Sequence, residues 1–237
     1  MMFLNDGGLY GNLAASLVTL VYVKLVIAVC DYAVSHQMLA PDVSRKLVHL
    51  AAASLMIWWP LFDKDHASWR LNILVPAMFS IQLFAKGAII QNPQDPDVRT
   101  MSRTGKPTEL LYGPLIFTIC MNINGIFLFM QPISLYCMAA LGFGDGVAPL
   151  IGKRFPIRHY RCPGGVKSVG GSLAVFISSV GGFFVLRGIM GIPELVEWNK
   201  ILIMATTATV AEALAPADFD NVVVPVTVYF VMTSMGV

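Results

Sequence analysis

Charge is what this sequence has least of. Asp, Glu, Lys and Arg make up 13% of its 237 residues, about half of the roughly 25% usual in soluble domains, and its mean hydropathy is +0.69. A water-soluble domain is thereby excluded. At about 20 apolar residues per helical crossing, the spans leave no room for a separate soluble catalytic domain. With 16 Lys and Arg against 14 Asp and Glu, the chain also lacks the positive excess that nucleic acid demands, so no nucleic-acid partner is expected. Its four cysteines, Cys30, Cys120, Cys137 and Cys162, include no C-x-x-C pair. Three of them lie in apolar stretches, where cysteine packs as a small hydrophobe. No internal repeat or low-complexity linker divides the sequence, and a single integral membrane domain over 1–237 is the economical expectation.

The apolar stretches predict an all-α, polytopic transmembrane helix bundle of about eight spans, with seven to nine as the range. The first, 9–29, carries only Lys24. With no basic n-region and no Arg/Ser-rich transit sequence before it, it is expected to be retained as a span, and a full-length plastid precursor is not expected. Stretches 47–62 and 71–90 flank a loop with Asp63, Lys64, Asp65 and Arg70. Stretch 110–144 has no formal charge and is too long for one crossing. Gln131-Pro132 is the expected break, because proline cannot continue a helix. Stretches 169–186, 198–211 and 221–237 complete the set.

Eight spans place alternate loops on one side. Those loops hold Arg45, Lys46, Arg99, Arg103, Lys106, Lys153, Arg154, Arg158, Arg161 and Lys167, against Lys64, Arg70, Arg187 and Lys200 on the other. The positive-inside rule then puts the richer side in the cytoplasm, or in the stroma of a plastid.

Chemistry-bearing residues collect on that side. Gly144-Asp145-Gly146 ends an apolar span with a carboxylate between two glycines. A charge near the membrane is costly, so Asp145 is expected to face a cation or a polar cavity; the competing reading is a helix-end cap. Glycines let a phosphate approach the backbone, and Lys153 could meet it. The spacing is not that of a Walker A loop, which needs G-x-x-x-x-G-K-[ST], whereas five residues separate Gly146 from Gly152 and Arg154 follows Lys153. Lys167-Ser168-Val169-Gly170-Gly171-Ser172 opens the next span, where free N–H groups, a cation and hydroxyls make an anion site. The arginines between, with His159, suit either a polyanionic nucleotide or anionic headgroups. Glu212, Asp218 and Asp220 add carboxylates on the same predicted side, with Asn221 beside them. Magnesium in phosphoryl transfer takes one or two carboxylates plus substrate phosphates, and Asp145, Glu212 and Asp220 are the candidates. Arg45 and Lys46 begin the second span, with His49 at i+4 from Arg45 on the same face; membrane snorkelling is the competing reading for the two cations. Glu109 stands at the start of the fourth span, where an acid suits the helix dipole.

Five motifs in one order resemble the CTP-dependent polyprenol kinases, the group of phytol, farnesol and dolichol kinases. They are R-K-x-x-H from Arg45 to His49, S-R-x-G-x-x-x-E-L-L-Y-G-P from Ser102 to Pro114, G-D-G-x-A-x-x-x-G-K from Gly144 to Lys153, K-S-x-x-G-S from Lys167 to Ser172, and E-x-x-x-P-x-x-x-D-N from Glu212 to Asn221. The phytol and farnesol branch is the nearer one. The resemblance implies transfer of the CTP γ-phosphate to a membrane-dissolved prenyl alcohol of the phytol, farnesol or geranylgeraniol type, with magnesium required. It makes Asp145, His49, Lys153 and Lys167 the catalytic candidates, with Asp145 and His49 both open as acceptors of the alcohol proton. It makes Asp145 with Glu212 or Asp220 the metal ligands. The nucleotide and phosphate contacts it implies are Arg45, Lys46, Arg103, Glu109, Gly144, Gly146, Lys153, Lys167, Ser168, Ser172 and Asn221. Two features depart from the pattern: Lys106 stands where an acid is expected, before Pro107-Thr108, and Val169-Gly170 replaces bulkier residues. They motivate the alternative of a catalytically silent subunit in a larger membrane complex. A small transporter and a CDP-lipid-forming transferase are weaker rivals. A plastid or thylakoid membrane, the endoplasmic reticulum and a bacterial membrane all suit such a protein.

Overall fold

A computed structural model describes residues 8–163, 165–192, 197–216 and 219–237; Asp218 lies outside them. The chain divides into two compact units, Met1–Met130 and Gln131–Val237.

In the first unit, helix α1 (Gly8–Ser35) buries Ala15, Ser16, Thr19 and Val23 and exposes Leu13, Leu17, Val21, Leu25 and Val29. The exposed side chains recur every four residues and are large and apolar, while much of the packed face is small or hydroxylated. This reverses the pattern of a soluble amphipathic helix. Lipid tails are as apolar as leucine, so helices in a bilayer associate through small residues and cross-helix hydrogen bonds. Such bonds run from α1: among them, Ser16 Oγ donates to the Leu71 carbonyl at 3.1 Å, and Asn12 Nδ2 donates to Ser68 Oγ at 2.7 Å.

Helix α2 (Pro41–Ala53) starts earlier than expected, with proline in its first turn and Asp42 beside it. Arg45, Lys46 and His49 therefore lie within the helix instead of opening it. The helix tightens into 3₁₀ turns over Ser54–Leu61. The third run combines 3₁₀ turns over Ala67–Ile73, helix α3 (Leu74–Phe84) and wide π-turns over Ala85–Ile90. A short helix, α4 (Pro96–Met101), occupies what reads as loop; the Asp95 side chain caps it by accepting the Asp97 N–H at 2.9 Å. Helix α5 (Gly113–Phe127) follows a 3₁₀ turn over Pro107–Leu111.

The second unit begins where the break was expected, with Pro132 in the first turn of α6 (Pro132–Met138). Contrary to expectation, no span ends at Asp145. Helix α6 runs through π-turns over Ala139–Asp145 into α7 (Gly146–Arg154), and Asp145 has right-handed helical backbone and makes no capping bond. The helix-end reading of Asp145 is overturned: Gly144, which looked like part of a terminus, packs closely on Ser179 and Val175 of the later helix. This run is 67% buried, against 28 to 39% for the other four candidate crossings, and so forms the middle of its unit. An antiparallel hairpin follows, β1 (His159–Cys162) and β2 (Gly165–Ser168), with Tyr160 opposite Lys167. It is a small two-stranded addition to the otherwise helical bundle that the sequence predicts. Helices α8 (Val169–Met190), α9 (Trp198–Leu214) and α10 (Asp220–Ser234) complete the unit.

Five runs among the described residues are long and apolar enough to cross a membrane: Gly8–Ser35, Ala67–Ile90, Pro107–Phe127, Pro132–Arg154 and Val169–Met190. The other three predicted spans fall on α2, α9 and α10. Helices α9 and α10 have 17 and 15 residues, which at 1.5 Å per residue reach about 25 Å or less, against about 30 Å of hydrocarbon. The architecture is a helical membrane bundle with one small hairpin.

Candidate active site

Glycine brings α7 and α8 together in the second unit. A β-carbon on Gly152 would lie 3.0 Å from Ser168 Oγ and 3.1 Å from the Gly171 Cα. Ser168 caps α8, its hydroxyl oxygen accepting the Gly171 N–H at 3.1 Å; an N-cap of this kind satisfies one of the orphan donors of a helix start. The close crossing places Lys153, in the last turn of α7, and Lys167, on β2, against one cavity of about 420 Å³. Ser168, Ser172, His159 and Glu212 also line it. Of the sequence candidates, then, Lys153, Lys167, Ser168, Ser172 and Glu212 converge.

Lys167 Nζ is bonded to Glu212 Oε1, reaching from the hairpin to α9. Burial opposes the charge on Lys167, but the hydrogen bond and charge of Glu212, and then the charges of Asp220 and Asp145, outweigh it and hold the pKa above its ordinary 10.5. One cation thus sits in the field of three carboxylates. Asp145 and Glu212 are both buried, at 3% and 6% exposure. Asp220 Oδ1 accepts the N–H of the buried Asn221 at 2.9 Å. No group of three or more His, Cys, Asp or Glu residues is gathered closely enough to hold a metal among the described residues. Magnesium does not need one: it keeps waters and substrate phosphates around one or two carboxylates, and buried hard-oxygen donors near the cavity's cations fit it.

Gly144 and Gly146 do not line this cavity. A β-carbon on Gly144 would strike Ser179 Oγ and crowd Val175, so this glycine fits the central run against α8. The Gly170 departure has a similar explanation. The main chain of Phe155 and Pro156 occupies the place of a side chain at 170, and the Val169 N–H bonds to the Arg158 carbonyl at 2.8 Å. Backbone fills the volume that a bulkier residue would take. The Tyr160 and Ser172 hydroxyls meet at 2.5 Å and tie the hairpin to α8.

In the first unit, the Ser102–Glu109 motif folds a loop. Glu109 Oε2 accepts the N–H groups of Arg103 and, at 3.1 Å, Thr104, while Oε1 accepts the Thr104 hydroxyl at 2.6 Å. Ser102 Oγ accepts the Gly105 N–H at 3.0 Å, and Gly105 has a φ of +79°, which favours glycine. The spacing S-R-x-G-x-x-x-E thereby acquires a structural cause, and Arg103 and Lys106 are left exposed. In α2 the His49 ring packs on Phe117 with centroids 4.3 Å apart, and Lys46 is buried at 4% exposure instead of snorkelling outward. Arg45 is half-buried.

Several residues at these places were not singled out by sequence. Lys86 pairs with Asp95 at 2.8 Å and Asp97 at 2.7 Å, and Arg99 holds Asp31 through two nitrogens. The Asp95-Pro96-Asp97 triplet, a helix-start pattern, was the available signal. Gly152 and Gly171 stand inside the two lysine motifs, but their contact with each other is not legible there.

No family model and no solved structure matches the chain. Curated relatives do. A probable chloroplastic phytol kinase of Triticum aestivum is 31% identical over 240 residues, covering 94% of this chain and 75% of the relative. The chloroplastic phytol kinase 1 of Arabidopsis thaliana is 28% identical, covering 78% and 63%. The chloroplastic farnesol kinase of Arabidopsis thaliana is 29% identical, covering 57% and 46%. The chain spans about two thirds of the length of the phytol kinases it matches, from 63% in Arabidopsis to 75% in wheat. The order of its motifs and a 31% identity across nearly its whole length lead to one conclusion: the chain belongs to the phytol and farnesol kinase family.

Proposed function

We propose that this chain is a CTP-dependent prenyl alcohol kinase of a plastid membrane, acting on phytol, farnesol or geranylgeraniol. In this reading the whole chain works as one integral membrane domain, and the basic loops face the stroma. The observation that carries it is the meeting of Lys153, Lys167 and Glu212 on one cavity at the end of two apolar helices. A water-soluble nucleotide and a lipid-dissolved alcohol can meet only at such a place.

The alcohol oxygen attacks the γ-phosphorus, the bond from that phosphorus to the β–γ bridging oxygen breaks, and CDP leaves. The alcohol proton goes to Asp145, the candidate base of the sequence that belongs to the same unit as the cavity. Such a transfer asks for positioning and charge neutralisation more than for covalent catalysis. Lys153 and Lys167 contact phosphate oxygens, and the start of α8, whose first N–H groups are bonded to Arg158, Pro156 and Ser168, adds the favourable end of a helix dipole. Asp145 with Glu212 or Asp220 would hold magnesium, which when bound would neutralise charge on the phosphates. The named relatives do not favour the silent-subunit alternative.

The test is chromatography of lipid products after incubating purified protein in detergent–lipid micelles with γ-labelled CTP, magnesium and each alcohol in parallel. Label in a prenyl monophosphate is expected. No transfer with any alcohol or nucleotide, while a known family member works alongside, would overturn the reading.

A further inference from the structure

The two side chains at the cavity best suited to opposite charges of a metal–nucleotide complex are bonded to each other. Lys167 Nζ meets Glu212 Oε1, and both groups line the cavity. The Glu212 carboxylate takes one donor of Lys167 that a bound phosphate oxygen would otherwise use and neutralises its charge. Nearby charge adds to the effect. Asp145 and Asp220 act on the same lysine, so a free triphosphate approaching it works against the field of three carboxylates. Lys153 and His159 also line the cavity, but neither relieves the pairing of Lys167.

We infer that Glu212 makes this cavity selective for the metal–nucleotide complex over the free nucleotide, by holding Lys167 until a divalent cation takes the carboxylate. This rests on the kinase reading and names Glu212 as a specificity-determining residue of that site. Metal and nucleotide then bind with positive coupling, because each claims one partner of the same ion pair. Specificity of this kind comes from a built-in repulsion toward the wrong ligand as much as from attraction to the right one.

Equilibrium binding of labelled CTP to the full chain in lipid nanodiscs, with magnesium or with EDTA, tests this. Wild type should bind at least about tenfold more tightly with magnesium, and Glu212→Gln should bind metal-free CTP about tenfold more tightly than wild type does and lose most of the magnesium effect. Glu212→Gln combined with Lys167→Gln should show no gain in metal-free binding, which separates release of Lys167 from a general loosening of the cavity. If Glu212→Gln weakens binding equally with and without magnesium, Glu212 is a structural brace and the inference is wrong. If wild type binds no CTP even with magnesium, the kinase reading falls and takes the inference with it.

Discussion

Gly152 on α7 and Gly171 on α8 touch through their main chains, with a β-carbon at 152 placed 3.1 Å from the Cα of its partner. This contact sets how near Lys153 comes to Lys167, since one lysine follows the first glycine and the other lies just before α8. Overpacking such a contact typically costs about 1 to 3 kcal/mol. Gly152→Ala should therefore cut kinase activity about tenfold or more while the protein still inserts, and Gly171→Val should do so more severely. Activity per inserted molecule, with size-exclusion profiles in detergent, checks both.

Asp145→Asn should abolish transfer and leave the protein inserted and monodisperse. The side chain is 3% exposed inside a continuous helix and makes no cap, so a neutral isostere removes charge with little change of shape. The labelled-CTP assay reads the outcome, and normal activity in this variant would remove Asp145 from the mechanism.

Glu109 is predicted to act through the loop it holds. Glu109→Ala leaves the N–H groups of Arg103 and Thr104 without their acceptor, a loss of about 1 to 3 kcal/mol if they stay unsatisfied. The thermal midpoint should fall and trypsin should cut faster after Arg103. Glu109→Gln keeps one carbonyl acceptor and should recover most of the stability. Equal loss in both variants would point to the charge itself.

The Lys167–Glu212 pair has a defined pH signature. The lysine pKa is raised in the folded protein, so its contribution is fully present below the ordinary value of 10.5 and is lost as pH rises through the raised one. Thermal midpoints in detergent should show no loss from this pair between about pH 7 and 9 and a fall above 10.5. Lys167→Met should be less stable at neutral pH and should lack that alkaline component.

Much of the site was legible as a set of residues and little of it as an arrangement. The two lysine motifs, Asp145 and Glu212 stand out because charge is rare in so apolar a chain. Glu109 also stood out, but the helix dipole invoked for it is a local effect. Its actual bonds run to Arg103 and Thr104, which needed the turn at Gly105 to be brought within reach. Asp145 read as a helix end because glycines flank it. Nothing local announces that Ser179 and Val175 pack where a side chain at Gly144 would go.

The sequence by itself determined that this protein lives in a membrane, that it is built of apolar helices with a break at Gln131-Pro132, and which family its motifs match. Those conclusions follow from composition, run length and local backbone chemistry, all of which are properties of neighbouring residues. Only the tertiary structure decided that Lys167 bonds to Glu212, 45 positions away, that glycines join α7 to α8, and that a hairpin carries the lysine to the cavity. Close approach between distant segments depends on packing complementarity, and no window of sequence contains both sides of such a contact.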